Sequence, residues 1–211
     1  MANFKDIHRT LLIEALAKSD MRLHNKQFTL DIGMGDEYLA INAYEEYYKG
    51  FFKWLTSGET HPDNFVLLSD KAQTYRFDYK GRNVSYAPRI SKQIGYVVDR
   101  LKNRSTSKRA SLVILEAGDS VVNEADYKIE YPCTIGYTFF IDNGRVCSTT
   151  VMRSNNACSV IGLDVYLGVE LLKTVALLLD IEVGTYTHFM IDCHIIEAEI
   201  QRAKNYISME L

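Results

Sequence analysis

The chain reads as an α/β domain built around one buried helix, and three stretches predict that class. Residues 163–181 are apolar nearly all round, the mark of a helix enclosed by other elements. Residues 133–153 read as two strands flanking an Asn143-Gly144 pair, the strongest hairpin signal in the chain. Helical and strand periodicities interleave over the 211 residues without a repeat, linker or low-complexity run, so a single domain over 1–211 is expected.

Phe4, Ile7, Leu11, Leu12, Ala15 and Leu16 recur at helical spacing and predict a first helix over 3–18. QFTLDI at 27–32 predicts a strand ending at Gly33, and the pattern from Asp36 to about Leu55 returns to a helix that stops near Gly58. Residues 59–87 read as irregular, with turn signals at His61-Pro62-Asp63 and Lys80-Gly81. Pro88 suits the first turn of another helix, whose buried face is Ile90, Ile94, Val97, Val98 and Leu101. ASLVILE at 110–116 reads as a buried strand. Beyond the central helix, TYTHFMIDCHI reads as a strand after Gly184, and a last helix fills 196–208.

Bulk properties narrow the function. A composition of 47% hydrophobic and 24% charged residues is that of an ordinary globular protein, and a net charge of −3 offers no cationic face for polymeric nucleic acid. Any nucleotide is met by a few placed cations. Cys133, Cys147, Cys158 and Cys193 form neither a CxxC pair nor a zinc-type spacing, so free thiols and no metal are expected. The first twenty residues include acidic ones and have too short an apolar run for a signal peptide, and no run of 18 apolar residues occurs, so a reduced, cytoplasmic protein without a membrane partner is expected.

Four chemically distinct groups then stand at fixed intervals. Cys133 to Arg153 is 20 residues, Arg153 to Asp164 is 11, and Asp164 to His194 is 30. A two-residue turn at Asn143-Gly144 would set Cys133 opposite Ser154; a three-residue bulged loop would set it opposite Arg153. In either register a guanidinium comes near the thiol and favours the reactive thiolate. Taken singly, Cys133 reads as a small buried hydrophobe, Arg153 as a surface ion-pair partner, Asp164 as a helix-terminus anion and His194 as a hydrogen-bonded structural histidine.

Taken together, Pro132-Cys133-Thr134, Arg153-Ser154, Gly162-Leu163-Asp164 and Asp192-Cys193-His194-Ile195-Ile196 resemble the thymidylate synthases. Those enzymes carry a Pro-Cys-His strand, a hairpin ending in Arg-Ser, a Gly-x-x-x-Asn helix start and an Asp-x-His-x-Tyr strand. The resemblance implies a mixed, bulged sheet around the central helix, Cys133 as nucleophile, and methylenetetrahydrofolate as one-carbon donor. It assigns Arg153 and Ser154 to the phosphate of a pyrimidine nucleoside monophosphate, Asn156 and Asp164 to its base, and His194 to its sugar or an ordered water. Ser107-Lys108-Arg109 resembles the family's Ser-Arg-Arg segment, which implies a homodimer in which Lys108 and Arg109 serve the neighbouring subunit's phosphate. The family's catalytic glutamate, on an early helix with aromatic residues one turn on, matches Glu45, with Tyr48 three residues on, or Glu46. Tyr86 in NVSYAPR aligns with the family's Val-Tyr-Gly segment.

The departures bear on the substrate. Where thymidylate synthases read uracil with an asparagine, this chain has Asp164. A carboxylate only accepts hydrogen bonds, which suits the amino group of cytosine and, once ring nitrogen 3 is protonated, that proton as well. The chain is similar here to the cytidylate hydroxymethylases of phages, which share a Met-Arg-Ser-Asn run (152–155 here) and Cys-Thr at the nucleophile. The resemblance therefore implies transfer of a hydroxymethyl group to carbon 5 of a cytidine or deoxycytidine monophosphate, in the host cytoplasm if the chain is phage-encoded. A uridylate hydroxymethylase, a divergent thymidylate synthase and an inactive nucleotide-binding relative are the alternatives. Asn156 stands where both families carry aspartate, and Ile196 where a tyrosine is usual. The sequence runs about seventeen residues past His194 without a long closing tail, so an open site that admits water is expected.

Overall fold

The computed structural model describes residues 2–62, 79–80, 82–125 and 131–209. The turn signals at His61-Pro62-Asp63 and Lys80-Gly81 lie partly outside those residues. Helix α1 (Phe4–Leu16) is opened by Asn3, whose side chain accepts from the Lys5 N–H at 2.8 Å, and it buries Phe4, His8, Leu11, Leu12 and Ala15. Strand β1 (Arg22–Asp31) begins five residues before QFTLDI. The extra residues are polar except Leu23 (Arg22, His24, Asn25, Lys26), so no alternation announces them; antiparallel pairing to a later strand, from Arg22↔His194 to Asp31↔Thr185, makes them a strand.

The predicted helix from Asp36 is corrected at its start. The Asp36 carboxylate accepts from the N–H groups of Ala2 and Asp31 at 2.6 and 2.8 Å, and Asn3 bridges Glu37. These bonds hold 36–44 out of the helix, and α2 runs Glu45–Ser57, closed by Gly58 at φ 80°. Helix α3 (Tyr86–Asn103) has Pro88 in its first turn and buries Ile90, Val97 and Leu101. Strand β2 is shorter than ASLVILE, only Ser111–Val113, because the N–H groups of Ile114 and Leu115 both turn to the Ile135 carbonyl, at 2.9 and 3.2 Å. Helix α4 (Asp119–Ala125) was not expected from the sequence.

The hairpin is β3 (Thr134–Asp142) and β4 (Arg145–Met152). A two-residue strand β5 (Asn155–Asn156) follows, then α5 (Ile161–Leu179), β6 (Val183–His194), a 3₁₀ turn (Glu197–Glu199) and α6 (Ile200–Ser208). The sheet runs β1-β6-β4-β3-β2, with β5 also on β6. Pairs β4·β6 and β5·β6 are parallel and the others antiparallel, and the ladder breaks register at Thr134/Gly136 and Val146/Ser148. The sheet is thus mixed and bulged.

Helix α5 packs on β4 and β6 and against α2 and α3, and Ile161, Val165, Val169, Leu171, Leu172 and Val175 are all fully buried. Only its last turn departs from the all-round apolar pattern, with Leu177 and Leu178 exposed. Gly168 permits the closest approach: a Cβ there would stand 2.3 Å from the Tyr186 Oη of β6. The register puts Val113, Phe140, Val151, Phe189 and Ile191 on the opposite face of the sheet, where Val113, Phe140 and Ile191 are exposed. No helix among the described residues is long and apolar enough to cross a membrane.

Candidate active site

The place of Cys133 follows from the hairpin. Asn143 and Gly144 take φ 48° and 78°, a two-residue turn that pairs Asp142 with Arg145. Continued unchanged, that register would bring Cys133 opposite Ser154. The bulge at Thr134/Gly136 consumes one residue, so Thr134 pairs with Met152 and the Arg153 N–H bonds the Cys133 carbonyl at 2.9 Å. Gly136 is what the bulge requires: a Cβ there would stand 2.4 Å from the Leu112 carbonyl oxygen. The sheet thus combines the two-residue turn of the first alternative with the Cys133–Arg153 pairing of the second.

Arg153 is held as a fork. Its Nε donates to the Pro132 carbonyl at 2.9 Å and its Nη2 to the Tyr131 carbonyl at 2.6 Å, while the guanidinium carbon lies 4.8 Å from the Tyr131 ring centroid. Nη2 stands 3.7 Å from the Cys133 Sγ. Burial pushes the thiols of Cys158 and Cys193 up to about 11 and about 12; Cys133 is half-buried, and none of the four cysteines is in a disulfide.

On the other side of Cys133 is Tyr86, at the start of α3. Its Oη accepts from the N–H groups of Cys133 and Thr134 at 3.1 and 3.3 Å. Burial raises the Tyr86 phenol, and the charges of Cys133 and Asp164 raise it further, so the phenol feels both groups. Asp164, in the first turn of α5, accepts from the Asn155 amide at 2.6 Å.

A cavity of about 290 Å³ adjoins the Arg-Ser pair and is lined by Asp20, Arg22, Ser154, Asp192, His194 and Ile195. His194 Nδ1 stands 3.6 Å from an Asp192 oxygen. Burial opposes ionisation of Asp192, but Arg22, bonded to it by Nε at 3.3 Å and by Nη2, prevails and holds the carboxyl below its usual range. Arg153 and Ser154, adjacent in the chain, therefore face two neighbouring spaces: the thiol side and the His194 side.

The remaining sequence candidates are placed as follows. Asn156 ties a turn, its Oδ1 accepting from the Cys158 and Ser159 N–H groups at 2.9 and 3.3 Å and its Nδ2 donating to Glu199 at 2.7 Å. Lys108 and Arg109 are exposed in the loop between α3 and β2. Glu45 and Glu46 are exposed at the start of α2, Glu46 on Lys49 at 3.0 Å. The side of α2 turned to α5 presents Tyr48, whose ring lies 5.4 Å from that of Tyr166; burial raises its phenol, and the Asp164 charge adds to that. Among the described residues no three His, Cys, Asp or Glu side chains gather as a metal site.

Sequence reasoning passed over Arg22, Asn155, Tyr186 and His188. Arg22 carried no signal, because the strand it starts was itself unseen. Tyr186 and His188 carried one: two polar-tipped rings at alternate positions of an apolar strand share its inward face.

A family model described as "Thymidylate synthase" matches residues 53–211. Relatives named "Putative thymidylate synthase" come from Methanocaldococcus jannaschii (29% identical over 148 residues, 66% of this chain and 64% of the relative) and Methanosarcina acetivorans (29% over 143 residues, 67% and 63%). Another, from Methanothermobacter marburgensis, is 29% identical over 161 residues, 69% of this chain and 68% of its own. The chain belongs to the thymidylate synthase family. It spans somewhat under two thirds of the length of the first two relatives.

Proposed function

We propose that this protein transfers a one-carbon unit to carbon 5 of a pyrimidine nucleoside monophosphate, and that the nucleotide is cytidylate and the product its 5-hydroxymethyl derivative. Family membership supports the coarser statement. The finer one rests on Asp164, a carboxylate at the head of α5 that already takes an N–H from Asn155 and can only accept from a base. Cytosine offers its amino donor there and, once ring nitrogen 3 is protonated, a second donor, whereas uracil sets a carbonyl beside its one ring N–H.

In this reading the Cys133 thiolate adds to carbon 6, and the ring electrons make carbon 5 nucleophilic. Arg153, 3.7 Å away, favours the thiolate both before attack and when the C6–S bond breaks to release product. Methylenetetrahydrofolate, when bound, supplies a one-carbon unit at the oxidation level of formaldehyde. The residues present fit such a group at one place: Asn42 Oδ1 is buried without a hydrogen-bond partner beside Gly162, where an acceptor would meet the N–H edge of a pterin. Glu45, exposed at the start of α2, takes the carbon 5 proton through water, and water would add to the transferred carbon as the product hydroxyl while tetrahydrofolate leaves.

Ser154 and His194, with Arg22 across the same cavity, hold phosphate and sugar, and Arg153 reaches the phosphate from the thiol side. Asn156 acts on the base through the turn it ties before Asp164. Lys108 and Arg109 serve the neighbouring subunit of a homodimer, and the exposed Val113, Phe140 and Ile191 on the outer sheet face are what such a dimer would cover.

The test is product analysis. Wild-type protein with methylenetetrahydrofolate and equal cytidylate and uridylate should yield 5-hydroxymethylcytidylate by mass spectrometry. Asp164→Asn should reverse the preference, because an amide can donate to a carbonyl. A 5-methyl product from uridylate would instead establish a divergent thymidylate synthase, the reading that the names of the relatives favour. No product from any nucleotide would leave a nucleotide-binding relative.

A further inference from the structure

Behind Asp164 runs a chain of buried polar groups that the proposed reaction does not use. Asn155 Nδ2 donates to Asp164 Oδ2 at 2.6 Å, His188 Nε2 lies 3.0 Å from Asn155 Oδ1, and Tyr186 Oη lies 2.8 Å from His188 Nδ1. Tyr186 and His188 are fully buried and Asn155 is 2% exposed. The three come from β5 and β6, and Asp164 from α5.

The donors in this chain have one consistent direction. Asp164 as a carboxylate can only accept, so the Asn155 amide must turn its NH₂ to it and its oxygen to His188. His188 Nε2 must then carry the proton, Nδ1 accepts, and the Tyr186 hydroxyl donates. The opposite tautomer would turn the amide round and set its oxygen against the carboxylate. Burial lowers the His188 imidazole to about 3, so the ring stays neutral and the chain keeps its direction across the working pH range. The donor that finally meets Asp164 is an amide, which does not titrate.

We propose that Asn155 is a positioning residue, locked by His188 and Tyr186, whose fixed N–H keeps Asp164 an ionised acceptor and so sets the site's preference for cytosine over uracil. The proposal rests on the reading of Asp164 as the base-contacting group. Without a fixed donor, a carboxyl in this enclosed place could take up a proton and become a donor, and a protonated acid accepts uracil as readily as an amide does. Titratable groups that feel the Asp164 charge include the phenols of Tyr48 on α2, Tyr86 on α3, Tyr137 on β3 and Tyr186 on β6, each raised by burial first and by that charge in addition. Beyond Tyr86 come Cys133 and Arg153.

Two variants test it. Asn155→Asp keeps size and the acceptor for His188 but sets a second carboxylate against Asp164, and Asn155→Ala removes the donor. The carboxyl titration of Asp164, followed by ¹³C NMR in the full-length protein as isolated, should move to higher pH in both, because each variant favours the protonated form. The cytidylate-over-uridylate ratio at neutral pH should fall by about tenfold or more, further for Asp than for Ala. In wild type, ¹⁵N NMR should find His188 neutral and protonated on Nε2 down to pH 5.

If Asn155 merely fills space, the folded Ala variant, which removes the donor without adding a charge, would keep the wild-type titration and base ratio, and that result would overturn the proposal. A His188 that titrates near its ordinary value, or carries its proton on Nδ1, would overturn it too. Should the wild type turn over neither nucleotide while the titration still moves, the hydroxymethylase reading fails and the positioning role stands. Should the wild type prefer cytidylate with no movement of the titration in a folded Ala variant, the positioning role alone fails.

Discussion

Arg153→Gln isolates the electrostatic part of the proposed nucleophile. The charge stands 3.7 Å from Cys133 Sγ, and two unit charges at that distance attract by about 4 kcal/mol at an effective dielectric near 20. The thiol and the guanidinium are both only half-buried, so solvent and salt reduce this to about 1–2 kcal/mol. A stabilisation of about 1.4 kcal/mol is a tenfold change in thiolate fraction. The variant should therefore react with iodoacetamide about tenfold more slowly at pH 7, with the pH–rate curve displaced upward. The label should sit on Cys133, because Cys147, Cys158 and Cys193 are buried. Arg153→Lys keeps the charge but loses the two-carbonyl fork, and should recover part of the rate. Intact melting behaviour is the control, since the freed Tyr131 and Pro132 carbonyls need new partners. An unchanged pH–rate curve in a folded Arg153→Gln protein would refute the argument.

Cys133→Ser should abolish turnover while retaining nucleotide binding by calorimetry, because an alcohol is a far weaker nucleophile; normal turnover would remove covalent catalysis. Mixing inactive Cys133→Ser with inactive Arg109→Ala should restore activity in heterodimers, and a fully active monomer by light scattering would end the trans assignment. Arg89→Ala should destabilise by about 3–5 kcal/mol in urea titration, since it strands Asp119, 2% exposed and bonded to Arg89 at 2.6 and 2.8 Å. His8 and His188 are both held neutral by burial, so below about pH 6.5 the unfolded chain binds protons that the folded one refuses. Stability is complete above that pH and should decline from 6.5 toward 4.5, above the carboxylate range; a flat melting temperature across this window would contradict it.

Elements with a one-dimensional signature were legible in the sequence. Helix α5 shows as a run with no polar face, the hairpin as Asn-Gly between strands, and α1 as an apolar stripe. Where the physics was long-range, the sequence was mute. Nothing in DMRLHNK marks the first half of β1, since its partners are more than 160 residues away on β6. The helix expected from Asp36 kept its periodicity but lost its start to the bonds that Asp36 makes with Ala2 and Asp31. The ladder shift opposite Cys133 depended on a bulge at Thr134/Gly136, and local turn chemistry could only pose the two registers.

The candidate site divides along the same line. Cys133, Arg153, Ser154, Asp164 and His194 were singled out by a resemblance to thymidylate synthases in their motifs and intervals, a one-dimensional signal that the sequence carries. What surrounds them was not, because burial decides it. Asn155 next to Ser154 is indistinguishable from Asn156 in the sequence, yet one faces inward to His188 and Asp164 and the other ties a turn to Glu199. Strand alternation sends neighbours to opposite sides, and only pairing with Cys193 and His194 on β6 settles which asparagine turns in. Exchanging the two, Asn155→Ala against Asn156→Ala, should separate their effects. The first should cost base preference with modest loss of stability. The second should loosen the 156–160 turn, lowering the melting temperature and weakening binding of cytidylate and uridylate alike. Equal loss of base preference from both variants, measured in competing-substrate reactions, would show that the turn and not the Asn155 amide positions Asp164.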